Sequence, residues 1–313
     1  MRITRYHVGY AEVIDRIRVL LHSLGAGKGS IQSIWALIRT AIGYISATFA
    51  FAVLLNDLLG FEKLATVCKS YWWGLLIICI VASFIYNREK TSFKKTLIDC
   101  DFQIAVKTGN LFAEKASSFV IPTNTFFRTI MKNEYISSHS VQGVFQKKYF
   151  RDKEKSLDVL IAQSLKQQSV NGEDSADAYG TVKKYPLGTV AKVDHKEKHY
   201  YFLAISDVNK YGKPENQNDE NVDNALHALI KTINTIGHCD SIAMPLIGTG
   251  RAAIRGATRE KVAEKIIDSF LATNEKTARS LTICINPKDY LDGIVDLRRI
   301  EKYLEYKCEF ANK

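Results

Sequence analysis

Ser241-Ile242-Ala243-Met244-Pro245-Leu246-Ile247-Gly248-Thr249-Gly250-Arg251-Ala252-Ala253-Ile254-Arg255-Gly256 is the stretch that decides the fold. Its apolar first half predicts a strand over 241–247 buried on both faces. Gly248 and Gly250 then permit close backbone approach, and residues 259–271 carry helical spacing. A buried strand, a glycine turn and a following helix form the arrangement in which main-chain N–H groups hold phosphate oxygens, so an anionic ligand is expected there. Gly248 to Ala253 also fits the dinucleotide fingerprint GxGxxA. Against a dinucleotide site of that kind, the next strand, 281–285, is followed by Asn286 and Pro287 with no acidic residue at its end.

Outward from this turn, strands and helices alternate. Strands are expected over 98–106, 119–121, 200–205 and 281–285, helices over 155–167 and 222–236, and a helical end. Short apolar strands between longer amphipathic helices predict an α/β domain over 98–313, a mixed central sheet sandwiched by helices. Ligands in such sheets bind beyond the strand carboxyl ends. The polar stretches 172–179 and 210–220 read as loops, either solvated surface, a gate over the site or a contact with a neighbouring subunit.

Upstream, residues 34–86 predict a transmembrane helical hairpin, with spans at about 36–56 and 70–87. The uncharged run from Tyr71 to Tyr86 is short, covering about 24 Å of a core of roughly 30 Å. Tyr71, Trp72, Trp73 and Tyr86 resemble interfacial aromatics. Arg16, Arg18, Lys28 and Arg39 precede the first span and Arg88, Lys90, Lys94 and Lys95 follow the second. The positive-inside rule therefore puts both termini and the α/β domain in the cytosol, beneath a multi-pass segment. The apolar run starts too far into the chain for a cleaved signal peptide. Gly43, Ala47 and Ala50 share one face of the first span, a surface for hairpin or oligomer packing. Residues 1–33 form an amphipathic basic helix, on a membrane surface, on a partner subunit or at the edge of the domain. Residues 87–97 are expected as a juxtamembrane linker.

The formal charge of +10 comes from 43 basic and 33 acidic residues. The basic residues are scattered and no basic stripe is interleaved with aromatics, so no nucleic-acid partner is indicated. The six cysteines are far apart, without metal-ligand spacing, and His238 beside Cys239 has no second pair. Neither a metal site nor a disulfide framework is expected.

Several motifs together resemble the macro domain family, whose members bind ADP-ribose and its derivatives. Gly109-Asn110-Leu111-Phe112 stands where that family has Gly-Asp-Ile, and Phe119 to Asn124 stands where a strand ends in Asn-Ala-Ala-Asn. Ser140-Val141-Gln142-Gly143-Val144-Phe145 resembles its first phosphate loop and Ala243 to Gly250 its second. The resemblance implies that Asn110 contacts adenine, with Leu111 beside it in the ligand-binding set, and that Asn124 faces the distal ribose. It also implies that Val141, Gln142, Gly143 and Val144, with Gly248, Thr249, Gly250 and Arg251, wrap the pyrophosphate, that Asn286 borders the adenosine end, and that Ser140 and Ala252 belong to the ligand-binding set. Arg251 or Arg255 would add charge-assisted contacts. Hydrolytic members carry Asp where Gln142 stands, and an amide is no general base at neutral pH. A binding protein without catalytic residues or cofactor is therefore expected, with a membrane-tethered ADP-ribosyl hydrolase as the alternative.

A two-span hairpin before a macro domain resembles, end to end, the membrane-type ThsA effectors of bacterial Thoeris anti-phage defence. That likeness implies an inner-membrane receptor for an ADP-ribose-derived nucleotide signal, made from NAD by a partner TIR-domain enzyme. Its ligand would drive homo-oligomerisation in the lipid bilayer and membrane disruption, ending in cell death or growth arrest.

Overall fold

In the computed structural model the chain divides into two units, Met1–Thr91 and Ser92–Lys313. Described are residues 3–24, 31–59, 70–97, 101–215, 218–238, 240–248, 257–273 and 277–310. Residues 25–30 of the expected amphipathic helix, residues 60–69 between the two expected spans with Cys68, and Cys100, Cys239 and the stretch from Thr249 to Gly256 lie outside them.

The first unit contains α1 (Ile3–Leu24), α2 (Ile31–Leu59) and α3 (Trp72–Tyr86). Among the described residues only α2 is long and apolar enough to cross a membrane, over Leu37–Leu54, and that stretch is unburied. The expected second span is a helix of 15 residues, about 22 Å long, which falls short of a hydrocarbon core by itself. The two helices run antiparallel. Asn87 Nδ2 donates to Thr40 Oγ1 (3.2 Å), the Thr48 hydroxyl lies 3.7 Å from Cys79 Sγ, and Ser83 Oγ donates to the Leu37 carbonyl (2.9 Å). Tyr44 and Tyr86 meet edge to face at 6.4 Å. Hydroxyl and amide groups thus join the pair, a pattern suited to apolar surroundings where a lone polar group is costly. Gly43, Ala47 and Ala50, expected as a packing face, are exposed, and nothing lies within 4 Å of a Cβ built on Gly43.

The second unit is built on a sheet ordered β1-β2-β10-β9-β3-β7-β6. Its strands are β1 (Ser92–Leu97), β2 (Phe102–Thr108), β3 (Ser118–Asn124), β6 (Val190–His195), β7 (Lys198–Val208), β9 (Ser241–Pro245) and β10 (Ser280–Ile285). A separate hairpin joins β4 (Glu173–Asp177) to β5 (Gly180–Lys184), and the short β8 (Pro214–Glu215) pairs with β7. The five central strands are parallel, while β1 and β6 flank them antiparallel. Residues 92–97, expected as linker, are instead the edge strand β1, and the expected strand at 98–106 begins at Phe102.

Helices cover both sheet faces. On β7, Tyr200, Phe202 and Ala204 enter an aromatic cluster with Phe112, Phe119 and Phe145, against α4 (Val141–Tyr149) and α5 (Glu154–Gln167). The intervening Tyr201 and Leu203 are equally buried on the opposite face. There α6 (Asp219–Ile236) ends at Gly237, where a Cβ would lie 2.8 Å from the Tyr201 hydroxyl. Alternate side chains buried on opposite faces are what a two-sided covering requires. Helix α6 starts where Asn218 Oδ1 accepts from Asn221 N–H (2.9 Å), and Asp219 and Glu220 sit in its first turn, favourable to the helix dipole. Its Leu226, Leu229, Ile230 and Ile233 are buried, each stabilising the fold by about 1.5–3 kcal/mol. Next come α7 (Arg259–Leu271), α8 (Pro287–Leu291) and α9 (Leu297–Phe310).

Candidate ligand site at the carboxyl edge of the sheet

From β3 the chain runs outward to β6, comes back through β7, crosses to β9 and then moves the other way to β10, so its direction reverses between β3 and β9. That is a topological switch point, where α/β sheets open to ligands. The two strands are pinned at their starts, where Ser117 N–H donates to Ser241 Oγ (3.1 Å) and Ser117 Oγ to the Ser241 carbonyl (3.2 Å). They pair only at Ser118–Ile242 and Phe119–Ala243, although β3 continues to Asn124 and β9 to Pro245. Both carry a proline beyond the pairing, Pro122 and Pro245, which cannot donate to a sheet neighbour.

Asn110, Asn286, Gly248 and Asn124 follow or end β2, β10, β9 and β3, so the topology brings them to one edge, in that order across the sheet. Three use the side-chain oxygen locally. Asn110 Oδ1 accepts from Phe112 N–H (3.0 Å), Asn124 Oδ1 from Phe126 N–H (3.0 Å) and Asn286 Oδ1 from Lys288 N–H (2.9 Å). Gly109 N–H donates to the Ile285 carbonyl (3.0 Å), closing β2 onto β10 beneath Asn110. Leu111 is core, with its side chain in the aromatic cluster. Gly248 takes φ +67°, a left-handed conformation open to glycine at no steric cost. Thr249, Gly250, Arg251 and Ala252 lie outside the described residues.

The expected first phosphate loop is the head of α4. Ser140 is its N-cap, its Oγ accepting from Gly143 N–H (3.0 Å) and donating to the Ser137 carbonyl (2.7 Å). Val144 N–H makes the first intrahelical bond, to the Ser140 carbonyl (2.9 Å). Helix geometry then leaves the amides of Val141 and Gln142 without intrahelical acceptors, at the positive end of the helix dipole. Gly143 is glycine for packing, because a Cβ there would run into the Ser137 carbonyl oxygen. Gln142 is buried and spans inward. Its Nε2 donates to the Arg128 carbonyl (2.8 Å) and its Oε1 accepts from Thr123 Oγ1 (3.0 Å). Both ends of that amide are occupied, so the position offers a ligand its backbone.

Sequence reasoning missed the turn after β3. Phe127 sits there at φ +51°, only 4% exposed, a rare conformation for a bulky residue that the surroundings must enforce. Those surroundings are polar struts: Phe127 N–H to the Asn124 carbonyl (3.1 Å), Gln146 Nε2 to the Thr129 carbonyl (2.6 Å), and Thr125 Oγ1 to Asp207 (3.1 Å). Gln142 and Gln146, four apart on one helix face, were the available signal. Within the 172–179 stretch, expected as loop, residues 173–177 form β4 instead. Arg128 ties the hairpin to this turn, donating Nε and Nη2 to the two Asp177 oxygens (2.9 and 3.0 Å) and Nη2 to the Gly180 and Thr181 carbonyls (3.2 Å each). The acidic run at 173–177 opposite Lys183 and Lys184 signalled that pairing. Burial pushes the Asp177 carboxyl up. The Arg128 guanidinium, with the Tyr179 amide and Tyr135, outweighs burial and holds it below the usual carboxylate range. Burial and the nearby Asp177 charge push Tyr135 up, so its hydroxyl stays protonated.

Three of the described cations near this edge are committed to protein partners: Arg128 to Asp177, Lys184 to Asp207 (2.7 Å) and Arg259 to Asp289 (3.5 Å). Among the described residues, helix-head and turn amides are therefore the groups best placed to hold an anion. No group of three or more His, Cys, Asp or Glu that could hold a metal occurs among them.

A family model described as Thoeris protein ThsA, Macro domain, matches residues 104–286, more than half of the chain. The chain belongs to this family. Its second unit is accordingly a macro domain, with a mixed sheet flanked by helices. No curated protein sequence matches it. Solved structures similar to this macro domain include the Oceanobacillus iheyensis macrodomain with ADP, 14% identical over 70% of this chain and 97% of that one, with a TM-score of 0.47. The macrodomain of Thermus aquaticus DarG is 15% identical over 59% and 98%, TM-score 0.39. The Trypanosoma brucei macrodomain in complex with ADP-ribose is 9% identical over 64% and 68%, TM-score 0.41.

Proposed function

We propose that this chain is a membrane-anchored receptor whose macro domain binds an ADP-ribose-derived nucleotide at the edge between β3 and β9 without turning it over. In this reading a partner TIR-domain enzyme makes the signal from NAD. Its binding drives chains to associate, and the clustered apolar helices disrupt the inner membrane, ending in cell death or growth arrest. The observation that carries the reading is the ThsA macro-domain match over 104–286, which spans the strand ends where Asn110, Asn124, Gly248 and Asn286 stand on one edge. Adenine recognition falls to Asn110 and Asn286, the distal ribose to Asn124, and the pyrophosphate to the amides after Ser140 and Gly248. Turnover is disfavoured because Gln142 offers no base and has both ends of its amide engaged.

The test is membrane potential in cells co-expressing the TIR-domain enzyme and either the unchanged chain or Gly248→Glu. A carboxylate at a left-handed glycine facing a pyrophosphate opposes the ligand by charge and by backbone strain. Depolarisation with the unchanged chain, lost in the variant at equal expression, supports the reading. Equal depolarisation in both contradicts it.

A further inference from the structure

Helix α1 is turned inside out relative to a water-facing helix. At about 100° per residue, Val13, Ile14, Ile17, Leu20 and Leu21 fall within about 120° of one another, with Arg16 and Arg18 flanking that stripe on either side. Val19 and Ser23 stand on the far side. A helix packed at the edge of a water-soluble domain buries its aliphatic stripe. Here Val13, Ile17, Leu20 and Leu21 are 54%, 50%, 48% and 61% exposed, while Val19 is 7% and Ser23 2% exposed. The carboxyl end of α1 is fixed at the foot of α3, where Glu89 N–H donates to the Ser23 carbonyl (3.1 Å) between the cations Arg88 and Lys90. The helix thus ends where the chain leaves its second apolar helix, at the flank that the positive-inside rule assigns to the cytosolic leaflet.

We propose that α1 lies along the cytosolic leaflet of an anionic bilayer, its Ile17 and Leu21 face in the acyl region and Arg16 and Arg18 at the phosphates. This rests on the membrane reading of the preceding subsection. Aliphatic residues flanked on both sides by arginines match an interfacial helix, since arginine stems can lie on apolar surface while their heads reach phosphate. The pair that Arg16 makes with Glu12 (3.2 Å) is exposed and contributes little against an anionic surface. The negative surface of that leaflet favours the same placement.

The experiment uses the full chain in vesicles of phosphatidylethanolamine and phosphatidylglycerol, with the photocrosslinker p-benzoylphenylalanine replacing one residue at a time: Ile17, Leu21, Asp15 or Phe49. Phe49, on α2 and 62% exposed, reports on the membrane reading itself. Lipid adducts at Ile17, Leu21 and Phe49, severalfold above Asp15, are expected, with a lower yield at Ile17 and Leu21 in vesicles of phosphatidylcholine alone. Chain-to-chain adducts at Ile17 and Leu21, or no adduct there beside a lipid adduct at Phe49, overturn the proposal and leave the membrane reading standing. Equal yields in both lipids overturn the role of the arginines. No lipid adduct at Phe49 overturns the membrane reading and this proposal with it.

Discussion

Removing Arg128 should loosen the β4–β5 hairpin and the turn it braces. The Asp177 side chain is fully buried and that of Arg128 20% exposed, and four hydrogen bonds join the guanidinium to Asp177, Gly180 and Thr181. Taking one partner from a buried pair costs about 3–5 kcal/mol, chiefly because the other charge is stranded. The partial exposure of Arg128 and the bond that Tyr179 N–H still donates to Asp177 (2.8 Å) place Arg128→Ala near the lower end, about 3 kcal/mol. Amide hydrogen exchange across 173–184 in the full chain should therefore quicken by roughly 150-fold. Arg128→Lys keeps the charge but not the fork and should fall between. The penalty also depends on pH. In the unchanged chain the folded Asp177 is held below its unfolded value, so its stabilisation is present above the unfolded pKa and is lost as pH falls through the folded one. The variant lacks that hold, its carboxyl neutralises more readily, and the difference between the proteins should shrink below about pH 4. Unchanged exchange at 173–184, or a penalty that grows on acidification, would refute the reasoning.

Gly143→Ala should lower thermal stability by about 2 kcal/mol, because its Cβ meets the main-chain oxygen of Ser137 and the backbone must move; an unchanged Tm contradicts that. Ser140→Ala, which removes the cap of α4, should cost about 1 kcal/mol by the same measurement, and Ser140→Asp should recover most of it. A loss from Ser140→Asp as large as from alanine would show that the bond the hydroxyl donates to the Ser137 carbonyl, which a carboxylate cannot make, outweighs the cap. Burial, with the Glu114 charge added and Lys107 opposing, pushes the Cys284 thiol up to about 12. Iodoacetamide at pH 8 should leave Cys284 unmodified in the native chain and label it after denaturation, read by peptide mass spectrometry. Native labelling would show that β10 opens.

The alternating core was legible wherever burial imposed a period. Residues 259–271 were expected as a helix and form one with those bounds, and the strands that begin at 118, 198, 241 and 280 follow their apolar runs. Three elements were hidden by composition. Strand β1 buries only Phe93 and Leu97 among lysines and hydroxyls, so it reads as linker. Both strands of the β4–β5 hairpin are polar, and their register rests on opposite charges such as Lys183–Asp174 (2.7 Å). Helix α4 begins Val-Gln-Gly-Val, with a glycine that suits a loop by propensity and is required here by the closeness of Ser137. At the site, the asparagines ending or following strands were visible as residues, and their shared edge follows from strand order. The bonds from Gln142 and Gln146 to the carbonyls of Arg128 and Thr129 were not legible, since every residue offers a carbonyl and nothing in a side chain marks which one is met.

Titration calorimetry of the full chain in lipid nanodiscs against ADP-ribose, ADP-ribosyl conjugates, NAD and AMP bears most directly on the central claim. Saturable binding of at least one diphosphate-bridged ADP-ribosyl compound, recovered chemically intact, is expected, with AMP weaker because it lacks the second phosphate. No binding of any ADP-ribosyl compound, or its steady conversion to product, would contradict it.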